Sequence, residues 1–361
     1  MRSRVLCGIA AAAALLTATA CSTTGGGSGS EAATGATGTA SAGAFPVEVA
    51  DCAGKKTTFA GPARRIVTSN GSALEMLLQL GAGDRVIGTG FPPGKGTLPA
   101  AVADQGAKVP VLGEMGIAKE KLLGSGADTY VDTFGSMDMM GGAGGGAPTE
   151  AEFAAAGIRH VYLLSTACTA TAKGPRTDLA EVEQDIRRLG AVTGTGAKAE
   201  ELTTAMESRV KAVTDALKDL PAERRPGYFF FDFDAGTKQP VALCGRQVAN
   251  AVITLAGARN VFADCDSDFR PVSWEDVVAK NPDWIQLGVR DRGSEAENTK
   301  AYAEAEAFLR EFPATRALPA VQQGHFLRIG SEVTTIAGTR NADTVQRIAA
   351  TVHPDLVRNG S

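Results

Sequence analysis

The chain has 361 residues, 44% hydrophobic and only 6% aromatic, with 36 basic residues against 40 acidic ones and three histidines. A net charge of −4 with no basic run disfavours nucleic acid as a partner. Three histidines are too few for a zinc or manganese cleft of several His ligands and make a Ser/His/Asp triad hard to assemble.

Arg2 and Arg4 precede an apolar run from Val5 to Leu16, and small residues follow as far as Cys21. This is the order of an export signal over residues 1–20, and the run is too short to span a bilayer as a folded helix. The stretch "TATAC" (17–21) resembles a bacterial lipobox, in which Cys21 is lipidated and becomes the mature N-terminus on the outer face of the cytoplasmic membrane. Ala18 stands where Leu is usual in that motif, and the alternative is cleavage at an Ala-x-Ala site that leaves Cys21 free. Residues 22–44 hold only Ser, Thr, Gly, Ala and Glu31, so residues 21–46 read as an anchor and flexible tether. Without Arg2 and Arg4 the chain keeps 34 basic residues against 40 acidic ones.

With Cys7 in the signal and Cys21 at the anchor, Cys52, Cys168, Cys244 and Cys265 remain, an even number in an oxidising compartment. Of three possible pairings, Cys52–Cys168 with Cys244–Cys265 keeps each bond inside one half of the chain. No Cys-x-x-Cys spacing supports a thiolate metal site.

"RRIVTS" (64–69) reads as a strand, Ser72 to Glu75 as a capping box opening a helix through Leu80, and "RVIGTG" (85–90) as the next strand. "IAKEKLLGSGADTYVD" (117–132) is a short helix with Glu120 near its start, a turn, Asp128 and a strand. Thr149 to Glu152 is a second capping box, with a helix to Gly157 and a strand at "VYLLS" (161–165). Leu202, Met206, Val210, Val213, Leu217 and Leu220 recur at steps of three and four, which predicts one long amphipathic helix ended by Pro221.

The same grammar then repeats. "YFFFDF" (228–233) is a strand, "GRQVANAVITLAG" (245–257) a helix and "NVFAD" (260–264) a strand. "VSWEDVVAKNPDWIQLG" (272–288) again places a Glu near a helix start, Glu275, eight residues before an Asp, Asp283. A helix around 303–311 and the strand "FLRIG" (326–330) follow. Alternating strands and helices with short connections predict parallel or mixed α/β sheets. The divisions are an N-terminal lobe at 47–195, a linking helix at 196–222 and a C-terminal lobe at 223–361.

"ARRIVTSNGSALEMLLQLGAGDRVIGTG" (63–90) and the two Glu-to-Asp segments resemble the iron–siderophore and cobalamin type of periplasmic binding protein, the substrate-capturing subunits of ABC importers. The resemblance covers nearly all of residues 47–350. It implies two Rossmann-like lobes joined by one long rigid helix (a class III solute-binding protein), small lobe closure, a monomer, and no enzymatic activity. It also implies that Glu120 and Glu275 dock on a two-fold symmetric permease dimer, although each Glu also suits a helix start through the dipole. Iron enters only inside a bound chelate, a ferric siderophore in the first reading, with cobalamin, heme or a tethered sensor as alternatives.

Ligands of open α/β sheets lie beyond the carboxyl ends of strands, in loops. These loops nominate Ser69, Asn70, Phe91, Phe134, Met137 and Ser165 from the first lobe, and Asp234, Arg246, Arg290, Arg292 and Glu332 from the second. The arginines suit carboxylate, catecholate or phosphate oxygens. Phe91, Phe134 and Trp274 offer flat apolar contacts, with Trp274 also placed to pack under the second Glu-bearing helix. "FGSMDMMGGAGGGAP" (134–148) reads either as an adaptable ligand wall or as a surface loop. His160 and His325 are expected just before strands, away from the cleft, and neither Tyr130 nor Tyr162 stands clearly where it could ligate heme. No Gly-x-Ser-x-Gly elbow, phosphate loop or His-Glu-x-x-His pattern occurs.

Overall fold

A computed structural model describes residues 45–135, 146–171 and 173–357. The first part runs β1 (Val47–Ala50), β2 (Lys56–Phe59), β3 (Ile66–Thr68), α1 (Gly71–Gln79), β4 (Val86–Gly90), α2 (Ala100–Gly106), β5 (Val111–Gly113), α3 (Lys119–Leu123), β6 (Thr129–Asp132), α4 (Glu150–Ala155), β7 (Arg159–Tyr162), α5 (Leu164–Ala167) and α6 (Ala180–Thr193). Helix α7 (Gly196–Ala216) leads into β8 (Gly227–Asp232), β9 (Val241–Leu243), α8 (Val248–Leu255), β10 (Arg259–Asn260), β11 (Phe269–Pro271) and α9 (Trp274–Lys280). The chain ends with β12 (Trp284–Gly288), α10 (Glu295–Glu311), α11 (Pro319–Gln323), β13 (Phe326–Arg328), α12 (Glu332–Thr335) and α13 (Asn341–Val352).

Two parallel sheets carry the architecture, one in the order β5-β4-β3-β6-β7 and one in the order β10-β8-β12-β13. Antiparallel ribbons β1-β2 and β9-β11 flank them. Both faces of each sheet are covered, as parallel sheets require, so neighbouring strand residues divide between cores. Ile66 joins the large central core and Val67 a smaller outer one with Leu122 and Phe153. In the second sheet Tyr228 and Phe230 face the central core, while Phe229 and Phe231 face an outer core with Trp274 and Leu309. The central core runs through both lobes, linking α1 and α6 to α8 and α13 by way of Ala199, Met206 and Val213 of α7. Separating lobes that share a core exposes its apolar side chains to water, which opposes wide opening.

Asp128 and Asp283 give the repeated segments the same job. The Asp128 carboxylate accepts the backbone N–H groups of Arg64 and Arg65 at 3.0 and 3.2 Å, just before β3, and the Asp283 carboxylate accepts that of Gly227 at 2.6 Å, at the start of β8. Thr129 pairs with Ile66 and Trp284 with Tyr228, so each Asp pins the first residues of the neighbouring strand in the same register. The structure also forms the disulfides Cys52–Cys168 and Cys244–Cys265, each within one half of the chain.

Several elements depart from the sequence expectation for local reasons. Helix α1 is capped by Asn70, whose side-chain oxygen accepts from Ala73 N–H, rather than by Ser72. Glu75, the expected reciprocal partner, points instead to Arg340 at 2.7 Å. Helix α7 ends at Ala216, and residues 217–226 are turns and a short 3-10 stretch at Ala222–Arg224. Gly194, in the left-handed conformation at φ 72°, closes α6 and turns the chain into α7. Strand β10 stops at Asn260, whose side chain accepts from Phe262 N–H at 3.1 Å and starts a turn. Strand β7 stops at Tyr162, because Asp185 captures the N–H groups of Leu164 and Ser165 at 2.9 and 2.8 Å and starts α5. Helix α10 begins at the Ser294 cap, well before residue 303.

Candidate functional site

The carboxyl ends of both sheets carry most of the nominated residues. Ser69 and Asn70 follow β3, Phe91 follows β4, Phe134 follows β6, Asp234 follows β8, Arg290 and Arg292 follow β12, and Glu332 follows β13. Met137 lies outside the described residues, as do Cys21 and most of the Met- and Gly-rich segment.

On the first lobe these residues build a rigid rim. The Ser69 hydroxyl accepts Thr133 N–H at 2.9 Å, and the Asn70 side-chain oxygen takes both Ala73 N–H at 3.0 Å and the Thr133 hydroxyl at 3.1 Å. The Asn70 amide nitrogen is buried without a hydrogen-bond partner among the described residues. Phe134 N–H donates to Asp132 at 3.1 Å. Phe91 is held at φ 29°, unusual for a bulky side chain, and its carbonyl accepts Gly71 N–H at 2.9 Å. Backbone strain of this kind persists only where the surroundings fix it.

On the second lobe the three arginines have different fates. Arg246 is clamped by both oxygens of Asp266 at 2.7 and 2.6 Å and reaches the Ala170 carbonyl at 3.3 Å, so it serves the joint between lobes and is not free for a ligand. Arg292 is paired with Asp234, which also accepts Arg290 N–H at 2.6 Å. The Arg290 side chain has no carboxylate within ion-pair distance among the described residues, and its guanidinium carbon lies 5.7 Å from the centre of the Phe91 ring on the other lobe. Glu332 accepts Asp291 N–H at 2.9 Å, which fixes the loop that presents Arg290. Burial raises the Asp232 carboxyl at the end of β8, an effect that Arg290 opposes.

Two nominated residues turn inward. Ser165 is 1% exposed and donates its hydroxyl to Asp185 at 2.6 Å, so it is a buried support. Trp274 is 5% exposed, donates its indole N–H to the Thr237 carbonyl at 2.8 Å and packs against Phe231, Phe308 and Phe312, which makes it a core residue beneath α9.

His160 lies inside β7 rather than before it, between Glu150 at 2.7 Å and Asp132 at 3.3 Å. Tyr162 donates to Glu150 at 3.0 Å and Tyr130 stacks on Phe153, so neither is presented as a heme ligand. His325 precedes β13 as expected and stacks on Trp284. Among the described residues no group of three or more His, Cys, Asp or Glu is arranged to hold a metal ion.

Contacts across the cleft include residues that sequence patterns did not single out. Arg340 pairs with Glu75 and donates to the Thr97 carbonyl at 2.9 Å, and Ser72 donates to the Ala337 carbonyl at 2.6 Å. Arg176 also joins the two halves, donating its N–H to the Gly245 carbonyl and its Nε to the Arg246 carbonyl, both at 2.8 Å. A cavity of about 350 Å³ lined by Arg224, Arg225, Trp284 and His325 lies at the other edge of the second sheet, where the strands begin.

Residues 66–333 match the family described as periplasmic binding protein. The chain belongs to that family. Its members bind rather than transform their ligands, and its fold is that of the two-lobed binding proteins. A cobalamin-binding protein of Halobacterium salinarum is 26% identical over 72% of this chain. The matched stretch is 66% of that protein's length, just under two thirds. An uncharacterized ABC transporter substrate-binding lipoprotein of Bacillus subtilis is 22% identical over 87% of this chain and 88% of its own. Among solved structures, a periplasmic binding protein from Veillonella parvula superposes with a TM-score of 0.72 at 25% identity, covering 86% of this chain and 99% of its own. A protein described as an ABC-type Fe3+-hydroxamate transport system from Saccharomonospora viridis gives 0.68 at 24%, covering 86% and 100%.

Proposed function

We propose that this periplasmic binding protein is the extracytoplasmic substrate-binding subunit of an ABC importer, held at the membrane by lipidated Cys21. It captures a ferric siderophore between its lobes and delivers it to a permease dimer. The observation that carries the choice of ligand is Arg290, a guanidinium at the cleft with no carboxylate partner among the described residues, set on the aromatic face of Phe91. Such a group makes paired hydrogen bonds to the anionic oxygens of a chelate, and the ring beneath holds it in place. The fold shared with the Saccharomonospora viridis protein fits this reading. The Halobacterium relative favours a second one, cobalamin, in the same cleft.

Delivery rests on Glu120 and Glu275. Each is the second residue of its short helix, each is exposed, and neither has a cation within ion-pair distance among the described residues. Exposed charges of this kind orient a complex and speed its formation. Glu120→Lys with Glu275→Lys abolishes uptake of radiolabelled iron supplied as a ferric hydroxamate and leaves the affinity of the chain for that chelate unchanged. Uptake that survives the double reversal overturns the importer reading.

A further inference from the structure

We infer that each lobe carries an apolar contact patch beside its exposed glutamate, Val111 and Met115 beside Glu120, and Phe269 and Val278 beside Glu275. The two patches seat together on a membrane protein that presents a cation next to an apolar recess twice, about a two-fold axis. The inference rests on the importer reading and extends it from two charges to a surface.

Among the described residues five large hydrophobic side chains are strongly exposed, and four of them are these: Val111 at 44%, Met115 at 52%, Phe269 at 40% and Val278 at 37%. The fifth, Leu356, belongs to the C-terminal end of the chain. Scattered exposed apolar residues need no explanation, but a concentration at two related places does. Val278 follows Glu275 by three positions on α9 and so shares its face. Phe269, on β11, belongs to the segment that leads into the same helix. On the other lobe Met115 lies in the loop between β5 and α3, and Lys121 of α3 donates to the Leu112 carbonyl at 2.6 Å, which ties the helix bearing Glu120 to the strand that begins at Val111.

Some neighbouring acids are already engaged: Glu152 pairs with Lys119, and Asp276 accepts from the Ser273 cap, whereas Glu120 and Glu275, and Glu114 beside Met115, have no cation within ion-pair distance among the described residues. An unpaired carboxylate beside exposed apolar side chains fits a basic and apolar protein surface. The same carboxylates would be repelled by anionic lipid headgroups, so a bare membrane is not the occupant. Because an exposed glutamate with exposed apolar side chains near it in sequence occurs once on each lobe, and the two glutamates hold the same position of a repeated segment, a partner with two equivalent subunits meets both.

The test places a photo-crosslinking amino acid in the full chain at Met115, Val278, Ala118 or Leu356, in cells that express the permease. Adducts from Met115 and Val278 on equivalent peptides of one permease polypeptide, with none from Leu356, are expected. Met115→Asp with Phe269→Asp lowers the yield from Ala118 about tenfold without changing the thermal melt. Capture of the permease from Ala118 but not from Met115 or Val278 overturns the apolar patches and leaves the importer reading standing. Adducts with lipid alone from Met115 and Val278 also overturn the patches. No capture of the permease from Ala118, Met115 or Val278 overturns the importer reading itself.

Discussion

The guanidinium of Arg290 rests over the ring of Phe91, 5.7 Å from its centre, and so joins the carboxyl end of β12 in one lobe to that of β4 in the other. A half-buried contact of this type contributes about 0.5–2 kcal/mol. A double-mutant cycle of Phe91→Leu and Arg290→Ala, read by chemical denaturation of the unliganded protein, therefore gives a coupling of that size. Zero coupling would show that the lobes do not meet here in solution.

The pair between Glu75 and Arg340 crosses the lobes under heavier burial, the two side chains being 5% and 30% exposed. Burial raises the Glu75 carboxyl, and Arg340 works against that rise. Removing the guanidinium leaves a buried acid with no counter-charge. Arg340→Ala costs about 3 kcal/mol of unfolding free energy. Arg209→Ala, which breaks the exposed pair with Asp343, costs less than about 1 kcal/mol in the same assay.

Much of this was legible in the sequence. Alternating strands and helices, the long apolar stripe of α7 and the repeated Glu-to-Asp segments prescribed two parallel sheets about a connecting helix, because period and turn chemistry are local properties. What sequence could not supply were decisions made by distant partners. Asp185 decided that Ser165 turns inward, Asp266 took Arg246 out of the cleft, and Arg340 drew Glu75 away from the cap of α1. Arg246, Arg290 and Arg292 read alike as residues, and only the fold separates the one guanidinium without a carboxylate in ion-pair distance among the described residues from the two that are paired.

The two disulfides close loops of different size, with sequence separations of 116 and 21. Loop closure alone gives about 5 kcal/mol for Cys52–Cys168 and about 3 kcal/mol for Cys244–Cys265. Replacing Cys52 and Cys168 by serine therefore lowers the denaturation midpoint more than replacing Cys244 and Cys265. The reverse order would show that native packing around the shorter loop, rather than chain entropy, governs the effect.

Asp268 supplies a pH dependence. Burial lifts its carboxyl from 3.8 to about 6, against the opposing influence of Arg176. A raised carboxyl favours folding in its protonated form, so this contribution is complete below about pH 4 and is lost as pH rises through about 6. Asp268→Asn removes that part of the slope, up to about 3 kcal/mol, and makes the variant the more stable protein at pH 7. Parallel pH profiles for the variant and the parent protein would contradict the assignment.

Cleft binding is tested most directly by calorimetric titration of the full chain with a ferric hydroxamate, cobalamin and hemin, run in parallel on Arg290→Ala. Tryptophan fluorescence would serve poorly, since Trp274 is a core residue and Trp284 stands where β12 begins, at the edge away from the cleft. Saturable submicromolar binding of the ferric hydroxamate, weakened at least about tenfold by Arg290→Ala and unchanged by Arg246→Ala, is the predicted result. Tight binding of cobalamin or hemin alone, or ferric hydroxamate binding indifferent to Arg290, would contradict it.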